Sequence, residues 1–526
     1  MNLGGFQNPD KNTIFSLSNF LEESYCMDRV RSLIFFDIYE KNALYRGDSC
    51  AVCWGTEKTT HSDLFLQTTK FANGLKKLGL PSGSRIAVLC KNHPVFFHLF
   101  GAASALNLVL VLINRRLSES EVSYIVEDTT PSLIICDNKM APQARALQKN
   151  FPCLEHCLVV DGDDTDFSDL YTNPPLEKCI PCNSTDPYVI IHTAAMLGKP
   201  RGAVLSQENI ILSNQQIIDA YHLDETKTYL NILPLFHIMG ANLGLGALQA
   251  GGENIIMEKF DPQKCMELIQ DQKVNFFGSF PPILSNLVEA IEKGSFDLSS
   301  LEIVAGLDMP ETVQKWQDLT DSTFWTMYGQ TETSGLITFT EYFAKSGSAG
   351  IVSPLANIKI ANDLDNLLPI GETGEIVVRG PLVFQGYWNA EELNAHTFRN
   401  GWHHTGDLGM LDSEGFLFFK GRKAEKELIK PGGENVFPAE VEKTIIKHEA
   451  ISEVCVFGVP DPKFGEGIKA VCSLKPGHTL TKDDLIDFCG SLIAGYKKPR
   501  YVEFIDELPK ADDGTINRDV IKAEYT

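Results

Sequence analysis

The chain has 526 residues, enough for roughly two to four domains. Its 43% hydrophobic and 22% charged content is that of an ordinary globular protein. A net charge of -23 at pH 7 argues against nucleic acid or an anionic membrane surface as a bulk partner, and any bound nucleotide then needs local positive charge or a metal.

From the N-terminus, Met1 to Asn12 lacks a basic stretch followed by an apolar one, so no signal peptide is expected. Thirteen cysteines in so long a chain point to reduced thiols and a cytoplasmic protein, not to a disulfide scaffold. Cys50-x-x-Cys53 and Cys179-x-x-Cys182 have metal-like spacing. Cys50 and Cys53 lie in a strand-like run, however, where residues three apart face opposite sides. Phe96 to Ile113 is the most apolar stretch, but His98, Gly101 and Asn107 interrupt it. It reads as a buried helix followed by a strand, with no transmembrane segment.

Up to about residue 180 strands and helices alternate. Strands are expected at Arg85–Cys90, Val109–Ile113 and Ser132–Cys136, with helices over Val95–Ala105 and Ser118–Glu127, the latter capped by Ser118 or Ser120. This rhythm predicts a mainly parallel sheet with helices on its faces. Tyr188–Thr193 is the next strand, and it runs into Ala194-Ala195-Met196-Leu197-Gly198-Lys199-Pro200-Arg201-Gly202, with a helix from near Ser206. A strand, a glycine-lysine loop and a helix together suit phosphate.

Leu233-Pro234-Leu235-Phe236-His237-Ile238 places one histidine in an apolar run, which by itself reads as a satisfied core group. Strands follow at Val274–Phe280 and at Leu301–Gly306, the latter ending at the turn Ala305-Gly306-Leu307. Tyr328-Gly329-Gln330-Thr331-Glu332 offers an aromatic to flank a base and a glycine for close approach. It also offers a hydroxyl for a phosphate oxygen and a carboxylate for Mg²⁺. Residues 346–420 turn to shorter strands and predict a small β-barrel subdomain. Within them, Thr405-Gly406-Asp407 sets a lone carboxylate where a ribose diol could donate to it; otherwise it is a turn aspartate. After Phe416–Phe419, a charge cluster from Gly421 to Glu427 and the permissive turn Pro431-Gly432-Gly433-Glu434-Asn435 mark a joint between two bodies. A compact α+β unit closes the chain.

The motifs Thr405-Gly406-Asp407, Gly421-Arg422, Lys426-Glu427, Gly432-Gly433-Glu434-Asn435 and Pro438-Ala439-Glu440-Val441-Glu442 follow one another in an order that resembles the adenylate-forming superfamily. The branch is that of the AMP-forming acyl-CoA synthetases, and the resemblance runs over nearly the whole chain. It implies an α/β fold with a large N-terminal domain of layered sheets over 1–426, including the barrel subdomain 346–420. A small mobile α+β lid over 427–526 follows. It implies ATP or AMP, Mg²⁺, CoA and a carboxylic acid as ligands, with a second copy of the chain as a candidate partner.

By resemblance, Thr193, Lys199 and Thr331 touch phosphate, Glu332 holds Mg²⁺, and Ala305, Gly306, Tyr328 and Gly329 border adenine. Asp407 and Arg422 bind the ribose hydroxyls, while Phe236, His237 and Gly306 border the acyl group. Glu427 is the hinge, and Gly432 and Gly433 line the CoA tunnel. His237, Thr331 and Glu332 form the expected catalytic set.

The chain departs from the family at two places. The phosphate loop, usually rich in Ser, Thr and Gly, carries Ala194, Ala195, Met196 and Leu197. The family's C-terminal catalytic lysine is replaced by Thr515, with Lys510 and Lys522 too far along the chain to shift in. Both alterations fall on adenylation, so the expected enzyme is an acid–thiol ligase whose adenylation half-reaction is slow or differently supported. The alternatives are an acyl-adenylate former that loads a separate carrier protein, and a non-catalytic nucleotide or acyl-CoA binding protein.

Overall fold

The computed structural model describes residues 32–161, 165–193, 200–422, 428–510 and 516–526. Among them the strands form four sheets. One has seven strands in the spatial order Gly386–Tyr387, Arg201–Ser206, Pro187–Thr193, Val109–Leu112, Arg85–Leu89, Leu133–Asp137, His156–Val160. Its five strands from Pro187–Thr193 to His156–Val160 pair in parallel. Leu133–Asp137 is buried at every residue, and its apolar run Leu133-Ile134-Ile135-Cys136 suits a strand covered on both faces.

A nine-stranded sheet includes Cys50–Trp54, Glu253–Ile256, Thr228–Asn231, Phe276–Ser279, Ile303–Gly306 and Thr323–Gln330, all paired in parallel in that order. The helix Val95–Leu106 is buried along its whole length, which explains its membrane-like composition. Among the described residues no helix is long and apolar enough to cross a membrane.

The expected barrel subdomain is an antiparallel sheet of four strands: Asn357–Ala361, Gly374–Arg379, His403–Leu411 and Leu417–Arg422. Its first and last strands do not pair with each other, so the ladder stays open among the described residues. The small C-terminal domain is built on Ile451–Asp461, Gly465–Leu474 and Tyr501–Ile505. Alternate residues of its first strand feed opposite faces: Val454 and Val456 enter one apolar cluster, Cys455 and Phe457 another.

Local caps position this framework. Ser118 and Glu121 form a capping box at the helix Glu119–Thr129, and the Glu121 carboxylate accepts from the Ser118 N–H at 2.7 Å. Its other oxygen accepts from Lys497 of the C-terminal domain, which also reaches Glu440 at 2.8 Å. The expected helix start near Ser206 is a capping box too, with Ser206 accepting from the Asn209 N–H at 3.1 Å. Ser206→Ala is expected to cost about 1 kcal/mol and Ser206→Gly only a few tenths. Urea midpoints at constant m would read the difference; equal losses would deny the hydroxyl its capping role.

Candidate active site

The carboxyl ends of the parallel strands in both large sheets open into one cavity of about 1730 Å³, where ligands of open α/β sheets are expected. Thr193 ends Pro187–Thr193, Tyr328-Gly329-Gln330 ends Thr323–Gln330, and Phe280-Pro281-Pro282 follows Phe276–Ser279. The four-stranded sheet contributes Asp407 and Arg422, which are direct cross-strand partners. The C-terminal domain closes one side with Lys430, Gly432, Gly433, Glu434 and Lys497. Eleven lysines and arginines line the cavity against six carboxylates. The local charge is thus opposite in sign to that of the whole chain, as an anionic ligand requires.

Asp407 is held from three directions. Arg422 Nε donates to Oδ1 at 2.9 Å, and both the Tyr328 hydroxyl at 2.8 Å and Gln330 Nε2 at 2.5 Å donate to Oδ2. The local sequence explains the posture. Gly406 has φ +70°, and its N–H donates to the buried Glu375, which turns the Asp407 carboxylate toward the cavity. Burial, reinforced by the Asp407 charge, holds the Tyr328 phenol well above its ordinary ionisation, so it stays a donor.

Glu332 receives the Thr193 hydroxyl at 3.1 Å and the Tyr387 hydroxyl at 2.8 Å, both on Oε1. No described residue bonds its Oε2. A carboxylate oxygen beside a threonine hydroxyl, opening into a cation-lined cavity, fits a hard divalent cation shared with phosphate.

Thr193, Phe236, His237, Tyr328, Gly329, Thr331, Glu332, Asp407, Arg422, Gly432 and Gly433 all line the cavity. Ala305 and Gly306 stand just behind that lining, at the end of the strand Ile303–Gly306. Ala305 is fully buried in an apolar cluster with Tyr229 and Phe276. Gly306 is pressed onto the next strand so closely that a β-carbon would lie 1.7 Å from the Ser279 carbonyl oxygen. The wall at that point is Leu307. Gly329 is likewise required by packing, since its β-carbon would meet the Gly335 carbonyl at 2.0 Å. Lys199, Glu427, Ala194 to Leu197 and Thr515 lie outside the described residues.

Sequence reasoning missed several participants. Gln330 occupies the variable position of its motif. Tyr387 is separated from Glu332 by 55 residues, and Asn114 and Arg116 reach Glu434 across 320 and 318 residues. Of the lysines flanking residue 515, Lys510 pairs with Glu453 at 3.0 Å, whereas Lys522 lines the cavity. Lys430 also lines it, in the field of Arg422, Asp407, Glu466 and Glu332. Burial and the neighbouring Arg422 push its ammonium down to about 8.

The family profile described as AMP-binding enzyme matches residues 39–388, and that described as AMP-binding enzyme C-terminal domain matches 440–515. A feruloyl-CoA synthase of Amycolatopsis sp is 31% identical over 483 residues, covering 90% of this chain and 96% of that protein. A long-chain-fatty-acid–CoA ligase of Mycobacterium tuberculosis, FadD13, is 30% identical, covering 89% and 93%. Among solved structures, a double mutant of o-succinylbenzoate CoA synthetase (MenE) from Bacillus subtilis, bound with a product analogue, superposes with a TM-score of 0.82. It is 25% identical and the match covers 94% of this chain and 99% of that one.

The depressed Lys430 makes a pH prediction. Its folded value of about 8 lies below the ordinary 10.5. Between those values the unfolded chain binds the extra proton, so stability linked to this group rises as pH climbs from about 8 to 10.5. Lys430→Met should therefore raise the thermal midpoint of the ligand-free protein at pH 7. The gain should vanish by about pH 10.5; a gain unchanged with pH would refute the assignment.

Proposed function

The chain belongs to the AMP-binding enzyme family, in its acyl-CoA synthetase branch, and on that premise we propose how it joins a carboxylic acid to CoA through an acyl-adenylate, with ATP leaving as AMP and pyrophosphate. The observation that carries this reading is one cavity that receives Glu332, the Asp407–Arg422 pair and the Gly432-Gly433 turn together. Asp407 and Arg422 would take the ribose hydroxyls, and Tyr328 would lie along the base. Thr193 and Thr331 would donate to phosphate oxygens, with Lys199 beside them. Glu332 would hold Mg²⁺, which when bound supplies positive charge to the phosphates. His237 and Phe236 would border the acyl group, and the glycine turn would wall the CoA tunnel. Glu427 would be the hinge on which the C-terminal domain turns between half-reactions. The reduced-thiol composition favours the cytoplasm.

The same reading includes a weakened first half-reaction. Adenylation is largely positioning and charge stabilisation, and loss of one preorganised donor costs about 2.7–4 kcal/mol, or roughly 10²–10³ in rate. Thr515 and the apolar Ala194 to Leu197 each remove such donors. The docking of the C-terminal domain is consistent with this bias, because it presents Gly432, Gly433 and Glu434 to the cavity.

Two assays test the proposal. With synthetic acyl-adenylates and CoA the protein should form thioester readily, while acid plus ATP should give slow pyrophosphate exchange. Fast exchange without thioester would end the reading. In addition, Thr515→Lys should speed exchange by roughly 10²–10³ and change the adenylate-plus-CoA step only a few-fold. An unchanged exchange rate would show that Thr515 is not where adenylation is limited.

A further inference from the structure

One wall of the cavity carries no charge among the described residues. It is made by the first turn of the helix Ile238–Ala250 and by the carboxyl ends of Phe276–Ser279, Ile303–Gly306 and Thr323–Gln330, which are neighbours in the nine-stranded sheet. Its apolar side chains are Met239, Phe280, Ile283, Leu307 and Met327, joined by Leu336 from the next strand. Tyr328 and Gln330, the polar side chains of this wall, already donate to Asp407. His237, at its edge, has Nε2 3.3 Å from the Glu434 carboxylate.

Behind this wall the protein is filled. Met239, Met327 and Leu336 belong to an apolar cluster whose inner members include Tyr229, Leu243 and Phe276, none more than 1% exposed. Two routes inward are shut. Between the helix and the strand Phe276–Ser279, Leu233 and Leu243 press on Gly278, where a β-carbon would lie 2.5 and 2.7 Å from their methyl carbons. Ordinary carbon contacts are roughly 3.5–4.0 Å, so not one methylene fits there. Where Gly335 lines the cavity, a β-carbon would lie 2.7 Å from Asn242 Nδ2. That amide cannot swing aside, because it donates to the Ser213 hydroxyl at 2.9 Å and to the Ser334 carbonyl at 2.6 Å.

We propose that the acid joined to CoA is a monocarboxylic acid with a compact, uncharged apolar body, and that Leu243, by filling the gap over Gly278, sets the length that body can have. The proposal deepens the ligase reading given above and rests on it. Met239 and Met327 suit such a body, because thioethers adapt to irregular shapes and make favourable contacts with rings. A second carboxylate would lose its water against this wall and find no cation there in exchange. A long polymethylene tail would have to lift Leu243 from Gly278 or turn back into water, and in water it forfeits the burial that holds it. The wall therefore selects by both charge and length.

The test is thioester formation from synthetic acyl-adenylates and CoA, which reads the acyl wall independently of adenylation. Benzoyl-, hexanoyl-, dodecanoyl- and adipoyl-adenylate are compared by kcat/KM. Benzoyl and hexanoyl should be used well. Dodecanoyl should fall below hexanoyl by at least the roughly 10–200-fold that one misfitting methylene can cost. Adipoyl, which matches hexanoyl in length but adds a carboxylate, should fall by roughly 10² or more. Leu243→Ala should raise dodecanoyl by about tenfold or more while keeping the benzoyl rate, which also reports that the variant is folded. Leu243→Val, a smaller cut, should move the profile the same way by less. Dodecanoyl or adipoyl used as well as hexanoyl by the wild type would overturn the proposal and leave the ligase reading standing. A length profile unchanged in folded Leu243 variants would overturn the role given to Leu243. Wild type that makes no thioester from any of these adenylates would remove the ligase reading, and the proposal with it.

Discussion

The Lys497 ammonium, held between Glu121 and Glu440, is the contact on which the observed arrangement of the two parts of the molecule depends. It is 3% exposed, and one of its carboxylate partners belongs to each part. Burial pulls the lysine toward neutrality, but Glu440 and Glu121 more than restore its charge. Glu440 nonetheless stays above its ordinary value, because burial, with the Glu121 charge added to it, outweighs the pull of the lysine. Such a cluster is poor glue: taking charges out of water costs about what their attraction returns. It is good at register, because a docking that leaves any one of the three unpaired costs about 3–5 kcal/mol. In the rotation proposed for the C-terminal domain, all three charges would return to water together, and the separation would cost little. A contact both specific and cheap to break suits a hinge that must work every cycle.

That register is what seats the glycine turn and Glu434 against His237. The remaining site is assembled without it. Asp407 is positioned from within, by its cross-strand partner Arg422 and by Tyr328 and Gln330 at the end of a strand in the nine-stranded sheet. Residues expected for nucleotide and those expected for thiol thus hang on different supports. In the proposed rotation the first set would stay put while the second would arrive with the C-terminal domain.

Much of this was legible in the sequence because its signals are local. Continuous apolar runs gave the parallel strands, Ser206 gave a helix start, and the Thr405-Gly406-Asp407 and Gly421-Arg422 motifs lie close enough to be cross-strand neighbours. Along Ala305-Gly306-Leu307 only register separates packing from lining. At the end of a four-residue strand, one position decides between facing the core and facing the cavity, and Leu307 faces the cavity. The ties of Glu434 to Asn114 and Arg116, and of Lys497 to Glu121, had no local signature at all, since these partners lie more than three hundred residues away. Glu121 was hidden by its own cap: as the third residue of a helix it satisfies an ordinary helix-start pattern, and only the fold reveals its second oxygen at work.

The cation-rich lining of the cavity, set in a molecule of charge -23, has a kinetic meaning. At a distance the protein repels polyphosphates, and attraction begins only within the mouth. At physiological ionic strength the ion atmosphere extinguishes fields beyond about 8 Å, so the long-range repulsion is largely erased while the short-range pull inside the cavity survives. Added salt therefore removes a barrier to entry before it weakens the hold. Capture of a polyanion should be easiest at intermediate ionic strength, where the outer surface has fallen silent and the inner one has not.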